Sequence, residues 1–238
     1  MTNPFYYGGV VNKDNFCNRY EEIATLKQDF LSGMNVLIYA PRRFGKTSLV
    51  LKALEELESL KFIYLDLMLI TDKKEFINNY FNEISKKIET STDKVIKFLK
   101  GILKIRPNIK VSFDESGIPS YSLEFSKDEI ENTLEEVLNL PYRYVNQKKN
   151  NIVVIFDEFQ EIVNLGIEEK LRSIIQHHGN KLTYVFMGSK KSIMKQLFLD
   201  KSRPLYKSVK HFPLKGIPLN EWKDFIKENT SVRLKIFQ

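Results

Sequence analysis

The spacing of apolar residues divides the chain into segments whose period alternates between helix and strand. Tyr20, Ile23, Leu26, Phe30 and Leu31 fall on one side of a helix over residues 18–31, and Gly33 lies just beyond its end. Val36-Leu37-Ile38-Tyr39 is a short apolar run that stops at Ala40-Pro41, which predicts a strand entering a loop. From Lys46 a second helix buries Leu49, Val50, Ala53, Leu54 and Leu57. Residues 62–67 predict a strand. Phe76, Ile77, Tyr80, Phe81, Ile84 and Ile88 then mark a long amphipathic helix, and residues 93–103 a shorter one.

The period next drops to two. Ile109, Val111 and Phe113 alternate with Lys110, Ser112 and Asp114, as Tyr121, Leu123 and Phe125 do with Ser122 and Glu124. The intervening Glu115-Ser-Gly-Ile-Pro-Ser120 is turn chemistry, so a hairpin with one wet face spans about residues 108–126. A helix over residues 127–138 follows, with Pro141 as its stop. Ile152 to Phe156 is apolar on both faces, the mark of a central parallel strand. Helix 168–178, strand 182–187, helix 190–198 and a strand near 209–213 continue the alternation. A last helix from Pro218 carries Trp222, Phe225 and Ile226 on one stripe, with no second layer of its own to cover them. The pattern is that of an α/β sheet with helices on both faces and the hairpin as an appendage.

Composition narrows the class. The 238 residues are 42% hydrophobic and 28% charged, which is globular, and Cys17 alone rules out an intrachain disulfide. Residues 1–10 have neither a basic start nor an apolar core, and no apolar run approaches the ~20 residues of a membrane span. A cytoplasmic protein without membrane contact is the expectation. The net charge of +7 is uneven: residues 1–180 hold 24 basic and 26 acidic side chains, and residues 181–238 hold 13 and 4. Such asymmetry marks residues 181–238 either as solvated helix faces or as a surface for nucleic acid or a protein partner.

The chemistry concentrates at Ala40-Pro-Arg-Arg-Phe-Gly-Lys-Thr47, between a strand and a helix. This is a phosphate-binding loop with alanine at the first glycine position. The loop Pro41-Arg42-Arg43-Phe44-Gly45-Lys46-Thr47-Ser48 would wrap its backbone N–H groups, from Arg42 on, around phosphate, Lys46 would reach its oxygens, and the Thr47 hydroxyl would ligate Mg2+. The strand ending in Asp157-Glu158 supplies the second half: the first acid holds the metal through water, the second polarises the attacking water. Gly188-Ser189 ends the next strand, where Ser189 is either a γ-phosphate contact or the N-cap of the following helix. Arg203 and Arg172 are candidate arginine fingers. Asp114 and Gly117 match the D-x-x-G string of GTPases, yet fall in the hairpin turn, and a guanine-reading Asn-Lys-x-Asp is absent. His177 and His178 point about 100° apart and cannot chelate one metal; a helix C-terminus favours them.

Phe16-Cys-Asn-Arg19-Tyr-Glu-Glu22, A-P-R-R-F-G-K-T-S, V-V-I-F-D-E-F-Q-E-I, L-R-S-I-I-Q-H-H and F-M-G-S-K occur in this order. Together they resemble the archaeal-type ATPase family of prokaryotes, in the AAA+/STAND branch of P-loop ATPases. The resemblance implies a three-layer ASCE-type core with five parallel strands ordered 5-1-4-3-2, and ATP with Mg2+ as ligand. It places Asn3, Pro4, Phe5 and Arg19 near the adenine and makes Ser189 the sensor. It divides the chain into a core over residues 1–217 and the start of an incomplete helical lid at 218–238, where relatives continue into a full lid and usually a further domain.

The function this implies is slow, Mg2+-dependent ATP hydrolysis used as a conformational switch. The metal is held by Thr47 and Asp157, Lys46 lies on the phosphates and Glu158 on the water; self-association would complete the site if an arginine comes from a neighbouring copy. One alternative is a module that keeps nucleotide as a structural ligand and binds its partner through the basic last quarter. A nucleotide or small-molecule kinase is another, against which stand the hairpin insertion and the lack of an Arg-rich lid.

Overall fold

The computed structural model describes residue 9 and residues 16–58, 60–88, 91–104, 108–148 and 151–236. Helix α1 (Tyr20–Leu31) leads to strand β1 (Val36–Tyr39), and α2 (Lys46–Glu55) to β2 (Lys61–Asp66). Helices α3 (Lys73–Ile88) and α4 (Thr92–Ile102) precede the hairpin strands β3 (Asn108–Phe113) and β4 (Pro119–Glu124). Then come α5 (Ile130–Lys148), β5 (Ile152–Asp157), the short α6 (Ile162–Leu165) and α7 (Glu168–His178). Strand β6 (Leu182–Gly188), α8 (Lys191–Leu199), β7 (Lys210–Pro213) and α9 (Leu219–Ile236) follow.

Five strands form one parallel sheet in the order β2-β5-β6-β1-β7. Counting only these five along the chain, that is 5-1-4-3-2 from one edge to the other. The alternation of each strand explains why helices must cover both faces. Val36 and Ile38 of β1, with Val153, Ile155, Val185 and Met187, pack under α1 and α2. Leu37, Val154, Phe156, Tyr184 and Phe186 pack under α3, α5, α7 and α8 on the other face. Strands β5 and β6 are buried along their whole length, as their mainly apolar sequences predict, with Asp157 and Thr183 the buried polar exceptions.

The hairpin lies against α3. Tyr121 and Leu123 are buried, while Lys110, Ser112 and Glu124 face outward. Its β4 edge is covered in an unusual way: Asn78 and Asn82 of α3 accept from the backbone N–H of Leu123 and Tyr121 at 2.7 and 2.8 Å. The Asp114 carboxylate accepts from the N–H of Ser116 and Ile118, both at 2.9 Å, so the D-x-x-G string is a turn.

Two local expectations are corrected. Pro141 does not end its helix: a 3-10 turn at Lys127–Glu129, with Ser126 and Glu129 in a capping box, opens α5, which runs on to Lys148. A proline inside a helix costs about 3 kcal/mol. Beyond it, Tyr144 and Val145 bury their side chains, each burial worth about 1.5–3 kcal/mol, and the Tyr144 hydroxyl donates to Ile88 O at 3.2 Å. Packing wins. His178 is likewise not a charge on a helix end. It is buried, with Nδ1 2.6 Å from the Tyr184 hydroxyl and Nε2 2.9 Å from Asn139 Oδ1, and burial, helped by the charge of His177, pushes its pKa down to about 4.

The charge asymmetry along the sequence is partly evened out in space. Lys190 pairs with Glu161, Arg203 with Glu168 and Lys210 with Asp29, at 3.0, 2.7 and 2.8 Å. Among the described residues no helix is long and apolar enough to cross a membrane.

Candidate functional site

Parallel strands bring their C-terminal ends to one edge of the sheet, and three of those ends meet here. The register sets Tyr39 of β1 beside Gly188 of β6, and Asp66 of β2 beside Asp157 of β5. The loop from β1 to α2, the acid pair after β5 and Ser189 after β6 therefore converge although they are far apart in the chain.

The loop turns through two residues with positive φ, Arg43 at 65° and Gly45 at 78°. Gly45 caps α2, and glycine adopts that conformation without the cost a side chain would add. The first amides of α2 point out of the helix without intrahelical partners, aimed into the loop. Lys46 is 6% exposed and its Nζ donates to Ala40 O at 3.1 Å and Pro41 O at 3.3 Å. Burial lowers its pKa, against the opposing pull of Glu158 and Asp157. Pro41, Arg42, Arg43 and Phe44 are exposed on the loop's outer side, and Ser48 is buried beneath it.

Asp157 accepts three hydrogen bonds. Thr47 Oγ1 donates to Oδ2 at 2.7 Å, the Tyr64 hydroxyl donates to the same oxygen at 2.8 Å, and the Glu158 N–H donates to Oδ1 at 2.8 Å. Burial, then the charge of Asp157, holds the Tyr64 phenol well above its ordinary range, so it stays a donor. Asp66, at the end of the neighbouring strand, has its pKa raised by burial and by Asp157 and Glu158, against the N–H of Met68.

Glu158 stands in a left-handed conformation with φ 47°. Its Oε2 accepts from Ser189 Oγ at 2.8 Å and from Gln160 Nε2. Burial opposes its ionisation, but these two donors and the charges of Lys46 and Arg42 outweigh burial, so its pKa lies below the ordinary value. Ser189 is not the N-cap of α8: that place belongs to Lys190, and the Ser189 hydroxyl turns to Glu158 instead.

A cavity of about 350 Å3 adjoins the loop. Phe16, Cys17 and Arg19 form one wall, Phe44, Gly45 and Ser48 another, and Ile217 and Trp222 close it from the start of α9. The apolar stripe of the last helix is only partly covered: Trp222 lines this cavity yet stays 41% exposed, and Ile226 is exposed as well. Arg19 is buried and ties these pieces together, donating to Phe44 O at 3.3 Å and Lys215 O at 2.9 Å and pairing with Glu22 at 3.1 Å. Asn3, Pro4 and Phe5 lie outside the described residues.

The structure does not bring the two candidate fingers into this cluster. Arg203 is held by Glu168 at 2.7 Å, and Arg172 sits half-buried on α7. Conversely, sequence reasoning gave no site role to Tyr64, Asp66, Gln160 or Trp222. Asp66 left a trace as the acid that ends β2, and Trp222 only as part of an uncovered apolar stripe.

A family model for an ATPase domain predominantly from Archaea matches residues 16–232. No curated protein matches the chain. Among solved structures, a Walker-type ATPase of Pyrococcus abyssi superposes with a TM-score of 0.58 at 19% identity, over 95% of this chain and 61% of that one. The Aeropyrum pernix ORC2 protein, in ADPNP–ADP complexes, gives 0.55 at 13% identity, over 90% of this chain and 51% of that one. The ORC1 protein of the same organism, in complex with DNA, gives 0.54 at 13%, over 92% and 50%. At these identities the likeness is one of fold, that of P-loop ATPases. The chain spans between half and about three-fifths of the length of these structures.

Proposed function

The chain belongs to the ATPase domain family found predominantly in Archaea, and from that premise we propose that it binds ATP with Mg2+ and hydrolyses it slowly, as a conformational switch. The observation that carries this reading is the 2.7 Å hydrogen bond from Thr47 Oγ1 to Asp157 Oδ2. A hydroxyl from the phosphate loop and a carboxylate from another strand, with a buried lysine beside them, fit the oxygen donors that Mg2+ takes at a nucleotide site. The metal, when bound, neutralises charge on the β and γ oxygens.

The remaining work falls to the chain's own side chains. Loop amides and Lys46 bind the phosphates; the carbonyls of Ala40 and Pro41 hold the ammonium in the loop until then. Glu158 accepts from the attacking water, and Ser189 contacts the γ-phosphate. The cavity between Phe16, Phe44 and Trp222 takes the adenine, with Arg19 fixing its walls; Asn3, Pro4 and Phe5 are further adenine contacts by the family resemblance alone. We take residues 1–217 as the core and residues 218–238 as the start of the lid, because Trp222 already closes this cavity. Hydrolysis is slow because an arginine finger is worth about 10³–10⁵ in rate, and Arg203 is engaged by Glu168. Self-association would supply Arg203 or Arg172 from a second copy.

Trp222 is the only tryptophan in the chain, so its fluorescence reports the cavity alone. Titration with MgATP should change the emission in the wild type and in Glu158→Gln, and leave it unchanged in Lys46→Ala. Phosphate release should occur in the wild type, increase per molecule with protein concentration, and vanish in Glu158→Gln. Wild-type affinity in Lys46→Ala overturns the site, and unchanged turnover in Glu158→Gln overturns the assignment of the base.

The second reading is the non-hydrolysing module. It draws on the 13 basic and 4 acidic residues of 181–238, a face for nucleic acid or a protein partner. Tight binding without turnover at any protein concentration would decide for it.

A further inference from the structure

Gln160 follows the acid pair by two residues and is buried, 3% exposed, in the 3-10 turn that leaves β5. Its amide is oriented by carboxylates. Nε2 donates to Glu158 Oε2 and lies 3.5 Å from Glu161 Oε1, so a flip of the amide would set its oxygen against Glu158. The other end of the amide is left with nothing: Oε1 is buried and has no hydrogen-bond partner among the described residues. It stands over the backbone of Gly188, where an added Cβ would lie 2.7 Å from it. A buried acceptor without a partner is rare in folded proteins, because leaving it so is destabilising. An apolar side chain would fill this place at lower cost to the fold.

That cost accompanies a specific arrangement at Glu158. Gln160 and Ser189 donate to the same oxygen, Oε2, and fix the carboxylate's rotamer from two sides. Oε1 takes part in neither bond. If Ser189 turns to the γ-phosphate, Gln160 is the donor that still holds Glu158 in place. Resting on the hydrolytic reading given above, we propose that Gln160 is a positioning residue for Glu158, which holds the carboxylate by Oε2 and presents Oε1 to the attacking water.

The test is Gln160→Leu, of similar size and without the amide. The variant removes the unpartnered acceptor, which stabilises, and the donor to Glu158, which costs, so the two offset and the melting temperature should change by no more than about 4 °C. Nucleotide affinity, read from Trp222 fluorescence, should remain within about twofold, and KM with it, while kcat should fall about tenfold or more as the carboxylate loses its alignment. A melting temperature lower by more than about 4 °C in Gln160→Leu shows a structural role and overturns the proposal, as does unchanged kcat or a loss carried by KM. The premise fails separately: a wild type without turnover, or Glu158→Gln with full turnover, removes the hydrolytic reading and the proposal that rests on it. If Glu158→Gln is inactive and Gln160→Leu is fully active, the proposal alone falls.

Discussion

Two tyrosines, one on each face of the sheet, make opposite predictions. Tyr64 donates to Asp157 Oδ2 at 2.8 Å, whereas the Tyr80 hydroxyl is buried with no hydrogen-bond partner among the described residues. Both are held protonated by burial. Replacing Tyr64 by phenylalanine keeps the ring and removes one hydrogen bond to an ionised acceptor, worth about 1.5–3 kcal/mol in general. Tyr64 is only partly buried and Asp157 keeps two other donors, so the lower end, about 1–2 kcal/mol, is the expected loss. For a chain of this length that is a fall in melting temperature of about 2–8 °C. Tyr80→Phe removes a polar atom that gains nothing from the fold. Its ring keeps its stacking on Phe76 and its contact with Phe156, at centroid distances of 5.8 and 5.7 Å, so stability should be unchanged or rise by up to about 1 kcal/mol. Calorimetry on the wild type and both variants without nucleotide decides. A Tyr80→Phe variant that loses as much as Tyr64→Phe would refute the reasoning, because it would mean that the hydrogen bond to Asp157 is not what separates the two phenols.

Two further predictions concern pH and salt. His178 titrates at about 4 when folded and near its ordinary 6.5 when unfolded, so the folded state binds fewer protons in between. The stabilisation is complete above 6.5 and is lost as pH falls towards 4, about 2–3 kcal/mol in all; His178→Gln should flatten this part of the stability–pH curve, and an unchanged slope would reassign it. If residues 181–238 bind nucleic acid, the affinity for single-stranded or duplex DNA should fall linearly on a log–log plot against salt, with a slope near −0.7 to −0.9 per phosphate contacted. Binding that ignores salt would remove the polyanion reading.

The fold was legible where a local pattern and the tertiary demand coincide. Leu49, Val50, Ala53 and Leu54 repeat at helical spacing because one face of α2 must meet the sheet, and Ile152 to Phe156 has no polar residue because neither face of β5 sees water. Reading failed where packing overruled a local rule. Pro141 is a helix breaker to its neighbours, but Lys61 donates to the Tyr144 hydroxyl at 2.8 Å from across the sheet edge, and no window around the proline contains that partner. His178 reads as a helix-end cation for the same reason. Asn139, which neutralises that reading, lies on α5, and Tyr184 on β6.

At the site, the division runs between groups proposed to act on the ligand and groups that contact those groups. Lys46, Thr47, Asp157 and Glu158 stand out in the sequence because a phosphate loop and a strand-ending acid pair each need their residues at fixed spacing along one segment. Tyr64 and Gln160 obey no such spacing. What places Tyr64 on Asp157 is the parallel register that pairs Asp66 with Asp157, a property of two strands separated by the whole hairpin insertion. What places Gln160 on Glu158 is the left-handed φ of Glu158 and the 3-10 turn after it, which fold the amide back over Gly188. Arg203 shows the converse. Its sequence setting suits an arginine finger, yet its Nε is buried with no partner among the described residues, and its guanidinium is held by Glu168, whose second oxygen likewise has none among them. A pair so incompletely satisfied contributes little net stability. Glu168→Gln should therefore free Arg203 and raise turnover if the arginine acts in hydrolysis, and should leave turnover unchanged if its part is only to hold α7 against the segment after α8.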